Sequence, residues 1–241
     1  MITLNSIKKF ADTKYPCDTY FEPFKRAIRN KDKKLAWQIV AMNIAWLNAY
    51  NFEIKPDDIP MDVDGEVYIL DKKGTIIVSS NIKNGVKDGK HILYRHNGTK
   101  VSKAYYKNGI LDGSYKRYFE DGTLESSQNY KDELLHGELI EYYINGFVRR
   151  ICNYEDGKLN GERRVYFSNG DIYQIANFKN GRMHGEFIVF GDDLLKISKS
   201  NYEDGLLNGD HYNYKDGRIT CITRYVNDSV VYRNEIIYHE E

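Results

Sequence analysis

Between residues 32 and 50 the apolar side chains fall at Leu35, Ile39, Met42, Trp46 and Tyr50, with Val40, Ile44 and Leu47 widening the stripe. Steps of three and four are the helical period, and a stripe this broad predicts one helix with a large buried face. Asp32 stands where a cap or first-turn acid favours a helix start. Shorter helices are expected over residues 21–30 and 4–10. After residue 64 the pattern changes. Short runs of Tyr, Phe, Ile and Val are cut by Gly, Asn and Asp every few positions, which reads as strands and turns.

That second region is periodic. Aromatic or apolar residues followed two positions later by Asn or Asp stand at Ile82, Tyr106, Tyr130, Tyr154, Phe178 and Tyr202, all 24 apart, and Tyr225 follows 23 later. A first glycine recurs at Gly85, Gly109, Gly157, Gly181 and Gly205, with Glu133 the exception. A second recurs without exception at Gly89, Gly113, Gly137, Gly161, Gly185 and Gly209. Five residues on comes an aromatic every time, as in Tyr118, Tyr142, Tyr166 and Phe190. Columns sharing one period across this many units mark a tandem repeat.

Asn-Gly and Asp-Gly supply the positive φ that tight hairpin turns require. Each repeat therefore reads as two antiparallel strands with two turns, one around the NGxxxG run and one around a third glycine such as Gly122 or Gly146. Two positions before most repeat starts lies a small residue: Ser80, Ala104, Cys152, Ala176, Ser200 or Thr223. Side chains two apart share a strand face, so the small and aromatic columns are expected to stack into one continuous stripe. The predicted fold is mainly β: an elongated antiparallel meander of 24-residue hairpin repeats preceded by a small helical unit. Residues 1–64 form that unit and residues 65–241 the array. A half-repeat occupies 65–81, and residues 225–241 close the array as a degenerate hairpin. The helices are expected to cap its first strand, with Trp37 and Trp46 as packing residues.

Composition sharpens this division. All 19 glycines lie between Gly65 and Gly217, whereas all four prolines and both tryptophans precede residue 61. The 35 basic and 35 acidic residues cancel, which argues against a nucleic-acid partner and gives no electrostatic reason to sit on an anionic membrane. Three cysteines, odd in number and far apart, fit a reducing, cytoplasmic setting better than a disulfide framework. The N-terminus lacks the pattern of a signal peptide, and the most apolar stretch, 35–47, is too short to span a bilayer.

Candidate chemistry is sparse. His136 and His184 share a column two repeats apart, about 19 Å across four strands, which is too far to share a metal ion. Their column is otherwise Asp or Asn, a turn position. The acidic run Asp57, Asp58, Asp62 and Asp64 lacks the glycine and terminal glutamate of a calcium loop. Arg149, Arg150, Arg163 and Arg164 form the densest basic cluster and are the candidate partner-binding residues. Glu138, Glu141, Glu155 and Glu162 lie nearby, so cross-strand ion pairing is the competing account. No residue is assigned a catalytic, metal-binding or cofactor-binding role.

The array resembles the MORN repeat, in the variant form of bacterial and viral proteins, over residues 82–225. The resemblance rests on Tyr106, Asn108-Gly109, Gly113, Tyr118 and Asp121-Gly122 and their counterparts. The standard repeat has a further glycine two residues after the second one; this chain has Tyr115, Leu139, Arg163 and Phe187 there. The resemblance implies an extended sheet used for protein association, sometimes proposed for lipid contact, with no catalytic residues to carry over. Some bacterial relatives are described as antitoxins, and several large DNA viruses encode many copies. The expected function is a non-enzymatic scaffold whose partner is another protein, self-association being a corollary. A viral structural or host-interaction protein, acting in the virion or host cytoplasm, is one form of this. An antitoxin-like neutraliser of one partner is the alternative, with membrane-surface attachment behind it.

Overall fold

The computed structural model describes residues 4–14, 22–43, 64–70 and 75–236. The expected helix beyond residue 43, with Trp46, and also Cys17, Asp57, Asp58 and Asp62, lie outside the described residues. The chain is mainly β, an antiparallel meander of hairpins with small N-terminal helices. Its contacts divide it into two compact units, Met1–Gly122 and Thr123–Glu241.

The first unit begins with α1 (Leu4–Lys14), α2 (Glu22–Arg29) and α3 (Lys33–Met42). Asp32 caps α3, its carboxylate accepting the Leu35 N–H at 3.0 Å, so one orphan donor of the first turn is satisfied. Asn43 closes the helix, its side-chain amide donating to the Ile39 carbonyl at 2.7 Å. Five strands follow: β1 (Gly65–Leu70), β2 (Ile76–Lys83), β3 (Val86–Tyr94), β4 (Lys100–Lys107) and β5 (Ile110–Tyr118). The helices share a core with the first strands. Ile7, Phe24, Ile39 and Val40 pack with Val67, Ile69 and Ile82, and Trp37 is partly buried against them. α3 rests on β2 and β3. Lys25 is buried beside this core and pairs with Asp12 at 3.2 Å, as buried charges generally do.

The second unit continues with β6 (Leu124–Lys131), β7 (Leu134–Leu135), β8 (Gly137–Tyr142), β9 (Val148–Glu155), β10 (Lys158–Leu159) and β11 (Gly161–Tyr166). Then come β12 (Ile172–Lys179), β13 (Arg182–Phe190), β14 (Lys196–Glu203), β15 (Leu206–Leu207), β16 (Gly209–Lys215), β17 (Arg218–Val226) and β18 (Ser229–Glu235). Within this unit sequence neighbours pair, as in β11–β12, β12–β13, β13–β14 and β16–β17. Across the two-residue β7, β10 and β15 the flanking strands also pair directly, β6 with β8, β9 with β11 and β14 with β16.

The turn expected around the NGxxxG run is present, and the two glycines of the run do different work. Asp156 (φ 47°) and Gly157 (φ 77°) form a two-residue turn with both φ positive, the geometry that matches strand twist. Gly161 (φ 92°) instead sits inside the rising strand. Ladder partners show why. From Ala176↔Phe187 to Phe178↔Met183, one strand advances two residues and its partner four. A two-residue bulge is thus inserted at each second glycine, and an even insertion leaves every side chain on its own face.

The other hairpin is a three-residue loop with glycine in the left-handed position. Phe167 N–H donates to Asp171 O (2.8 Å) and Gly170 N–H to Phe167 O (3.0 Å). In the last repeat this loop loses one residue. Asp216 (φ 51°) and Gly217 (φ 74°) form a two-residue turn, with Lys215 paired to Arg218. That deletion accounts for the final spacing of 23.

Candidate interaction face

Strand alternation gives the sheet of each unit two faces. One carries the small column. In the first unit a ladder runs Val67–Ser80–His91–Ala104–Tyr115. In the second, Arg163–Ala176–Phe187–Ser200 repeats the alternation of small and large. The small members are buried, Cys152 and Ala176 completely. Each repeat-start ring lies opposite a second glycine, as in Gly89↔Tyr106, Gly161↔Phe178 and Gly185↔Tyr202. The ring then meets the large residue two places after that glycine. His91 meets Tyr106 edge-on (5.7 Å), Phe187 meets Tyr202 (5.9 Å), His211 meets Tyr225 (6.3 Å), and the Arg163 guanidinium covers Phe178 (4.9 Å). These are the positions where the standard repeat has its extra glycine.

This face is structural in its chemistry. Burial, with Lys87 adding to it, pushes the His91 imidazole down to about 3, so it stays neutral and shares a hydrogen bond with Ser80 Oγ at 3.0 Å. Burial raises the Cys152 thiol above its ordinary value, which makes it a packing group and not a nucleophile. His136 and His184 do not act together. Each faces the turn of the following repeat, Nδ1 lying 3.6 Å from Asp156 and 3.8 Å from Asp204 respectively. In the same column Asp88 accepts the Asn108 N–H at 3.1 Å. At both histidines the facing turn residue is Asp, and at Asp88 it is Asn. The turns are also tied through the backbone: Gly157, Gly181 and Gly205 donate to Leu135, Leu159 and Met183 at 2.8 Å.

The four candidate arginines do not form one site, because neighbours in a strand point to opposite faces. Arg150 and Arg163 lie on the packed face. Arg150 binds Glu141 at 2.5 Å, and Arg163 donates to Gln174 at 2.6 Å while covering Phe178. Arg149 and Arg164 lie on the other face, both exposed, and Arg164 is held by Glu162 at 2.6 Å.

That other face also carries the second aromatic column, so the two aromatic columns do not share one stripe. Tyr166 alternates away from Arg163, and Tyr212 and Tyr214 stack side by side on this face at 6.5 Å. In the second unit three of its bases are paired with acids, Arg149 not being among them. Besides Arg164–Glu162, Lys199 binds Glu186 at 2.5 Å and Arg224 grips Asp210 through two bonds of 2.7 and 2.9 Å. The matching acid follows the second glycine in each of these repeats: Glu138, Glu162, Glu186 and Asp210.

In the first two repeats that position holds Lys90 and Ser114 instead. On β3–β5 the ladder places Lys103 directly opposite Lys116, and Lys90 opposite Tyr105. Among the described residues, Lys90, Lys103 and Lys116 have no carboxylate within ion-pair distance, in contrast to Lys199. Tyr105 is 37 % exposed between them. A hydrogen bond with Lys103, aided by the charges of Lys103, Lys90 and Lys116, holds its hydroxyl below the ordinary phenol value. The Lys103 ammonium lies 5.1 Å from the Tyr105 ring centre and that of Lys100 lies 5.7 Å from Tyr118. The zero net charge conceals this cluster. Residues 64–122 hold eleven Lys or Arg and seven Asp or Glu, a surplus of four positive charges, whereas residues 123–236 hold fourteen Lys or Arg and eighteen Asp or Glu. The missing acids at positions 90 and 114 were legible in the repeat columns; the charge total was not the place to look.

Residues 111–132 and 159–180 match the family described as MORN repeat variant. The windows stand two repeats apart and begin at the same repeat position, so each covers the same part of the 24-residue unit. No curated protein matches the chain. Among solved structures, the chain is 16 % identical to a mutant of S. aureus TarM in complex with fondaparinux, alpha-GlcNAc-glycerol and UDP, covering 75 % of this chain and 30 % of that one with a TM-score of 0.24. The crystal structure of TarM itself gives 16 % identity, 74 % and 31 % coverage and a TM-score of 0.23. A GtfA/B complex bound to UDP and GlcNAc gives 14 % identity, 48 % and 20 % coverage and 0.18. The chain spans less than a third of the length of each, and scores this low establish no common fold.

Proposed function

We propose that this chain is a non-catalytic scaffold whose open sheet face binds a partner protein. The observation that carries the reading is the contrast between the two sides of the sheet. On one, small and large side chains interlock and polar groups such as His91, Arg150 and Arg163 bond to neighbouring strands. On the other, in the first unit, lysines without carboxylate partners surround an exposed tyrosine. Repeat arrays lend themselves to this use because identical supports hold variable side chains in a regular grid. Tyrosine adds rigid amphipathic contact area of the kind found at interface centres. MORN repeats are interaction modules in general, which supports the same reading. The sparse, buried Cys152 and Cys221 suit a reducing, cytoplasmic setting. Neutralising a single partner in the manner of an antitoxin, or serving in a viral assembly, would use the same face.

Among the described residues no helix is long and apolar enough to cross a membrane, and surface attachment is tested by flotation with anionic vesicles. The direct test of the scaffold reading is affinity capture of the full chain with identification of bound proteins, together with sedimentation. Specific, saturable capture of a defined protein supports it. A strict monomer that retains no protein overturns it.

A further inference from the structure

The lysine face of the first unit has a definite chemistry. Three ammonium groups, Lys90, Lys103 and Lys116, lie on adjacent strands β3, β4 and β5, with Lys103 and Lys116 cross-strand neighbours. Like charges directly opposite on a sheet destabilise it. The equivalent places in the second unit avoid this by carrying an acid beside each base. An unrelieved cluster of this kind is expected where an external anion supplies the missing charge.

Two kinds of polyanion could do so, and the tyrosines discriminate between them. Single-stranded nucleic acid binds by stacking bases on open aromatic faces. Here Tyr105 and Tyr118 are each already covered on one face by the protein's own Lys103 and Lys100. A polypeptide carboxylate needs only the ammonium groups and a hydroxyl donor, both of which stand ready. The lysines span β3 to β5, about 10 Å at ~4.8 Å per strand, and two alternate carboxylates of an extended segment, ~6.7 Å apart, lie within reach of flexible lysine side chains across that width.

We propose that the face formed by Lys90, Lys103, Lys116 and Tyr105 docks an acidic, extended segment of a partner protein, its Asp or Glu carboxylates replacing the acids that these repeats lack. The inference rests on the scaffold reading and names the class of partner. Encounter is electrostatically steered and therefore salt-sensitive.

The test uses the full chain and a labelled glutamate-rich peptide of about a dozen residues, read by fluorescence anisotropy. A glutamine counterpart and an oligothymidylate of similar length serve as comparators. The glutamate peptide should bind, the glutamine one should not, and affinity should fall steeply between about 50 and 200 mM salt. The double charge reversal Lys103→Glu with Lys116→Glu should weaken binding at least about tenfold, whereas Lys199→Glu in the second unit should leave it unchanged. Lys103→Gln with Lys116→Gln, which removes charge without reversing it, should show a loss in the same direction, so the test survives unfolding of the reversed pair. No binding by the wild-type chain, equal binding by the lysine variants, or tighter binding of the oligonucleotide would each overturn the proposal. Affinity capture separates this from the scaffold reading. A partner retained equally by wild type and the double variant leaves the scaffold standing and removes the lysine face from it.

Discussion

Consider replacing Gly161. Its φ of 92° lies beyond the left-handed helical region that Asn or Asp tolerates, while a Cβ built there meets nothing within 4 Å. The cost of a side chain is therefore backbone strain alone, without collision. Left-handed conformations cost an L-residue about 1–2 kcal/mol. Alanine also lowers the entropy of the unfolded chain, which offsets about 0.4–1 kcal/mol of that. Gly161→Ala should then destabilise by about 1 kcal/mol and Gly161→Val by about 2 kcal/mol or more, because branching at Cβ narrows the allowed backbone further. Gly170 provides the contrast. A Cβ there would sit 2.8 Å from Phe147 Cδ1, so Gly170→Ala adds displacement of that exposed ring to the strain. Urea denaturation followed by circular dichroism measures the series. If Gly161→Val stayed within about 0.5 kcal/mol of wild type, a size typical of neutral surface changes, the bulge assignment would be wrong.

Other predictions follow from the same geometry. Leu194 occupies the left-handed loop position that Gly98, Gly122, Gly146 and Gly170 fill elsewhere, at φ 63° and 51 % exposed; Leu194→Gly should raise stability by about 1 kcal/mol in the same assay. Glu133, at φ 66° in a turn that elsewhere takes glycine, should respond to Glu133→Gly in the same direction. His91, held down to about 3 against an ordinary 6.5, takes up its proton in the unfolded chain first. Its contribution is complete above pH 6.5 and declines as pH falls from 6.5 toward 3, by at most about 1.4 kcal/mol per pH unit. Urea midpoints measured across that window should show a shallower acid slope for His91→Phe than for wild type, and identical slopes would refute the burial of the imidazole.

Much of this was legible in the sequence because the repeat enforces it. The period, the strand content, the Asp32 cap and the shared face of Cys152 and Tyr154 all follow from residue type and spacing. The hairpin turn expected around NGxxxG forms at the first glycine, while the bulge at the second was not foreseen, because glycine signals a positive φ without saying whether the chain reverses there. In Asp156-Gly157 it does, and at Gly161 it yields a bulge. The aromatic columns were expected on one stripe, yet Tyr154 and Tyr166 fall on opposite faces. Which face a residue takes depends on where extra residues enter the ladder, and that is set by cross-strand pairing, not by spacing along one strand. The arginine cluster dissolved for the same reason: Arg149 and Arg150 are neighbours in the chain and strangers in space.

The most direct test of the account is nuclear Overhauser spectroscopy of the isotope-labelled chain. Glycine-to-ring contacts should link Gly161 with Phe178, Gly185 with Tyr202 and Gly209 with Tyr225, the pairs set by the ladder. Lys103 and Lys116 should show the cross-strand contacts of opposed residues. Contacts displaced by one residue would put the lysines on the packed face and contradict both the register and the function drawn from it.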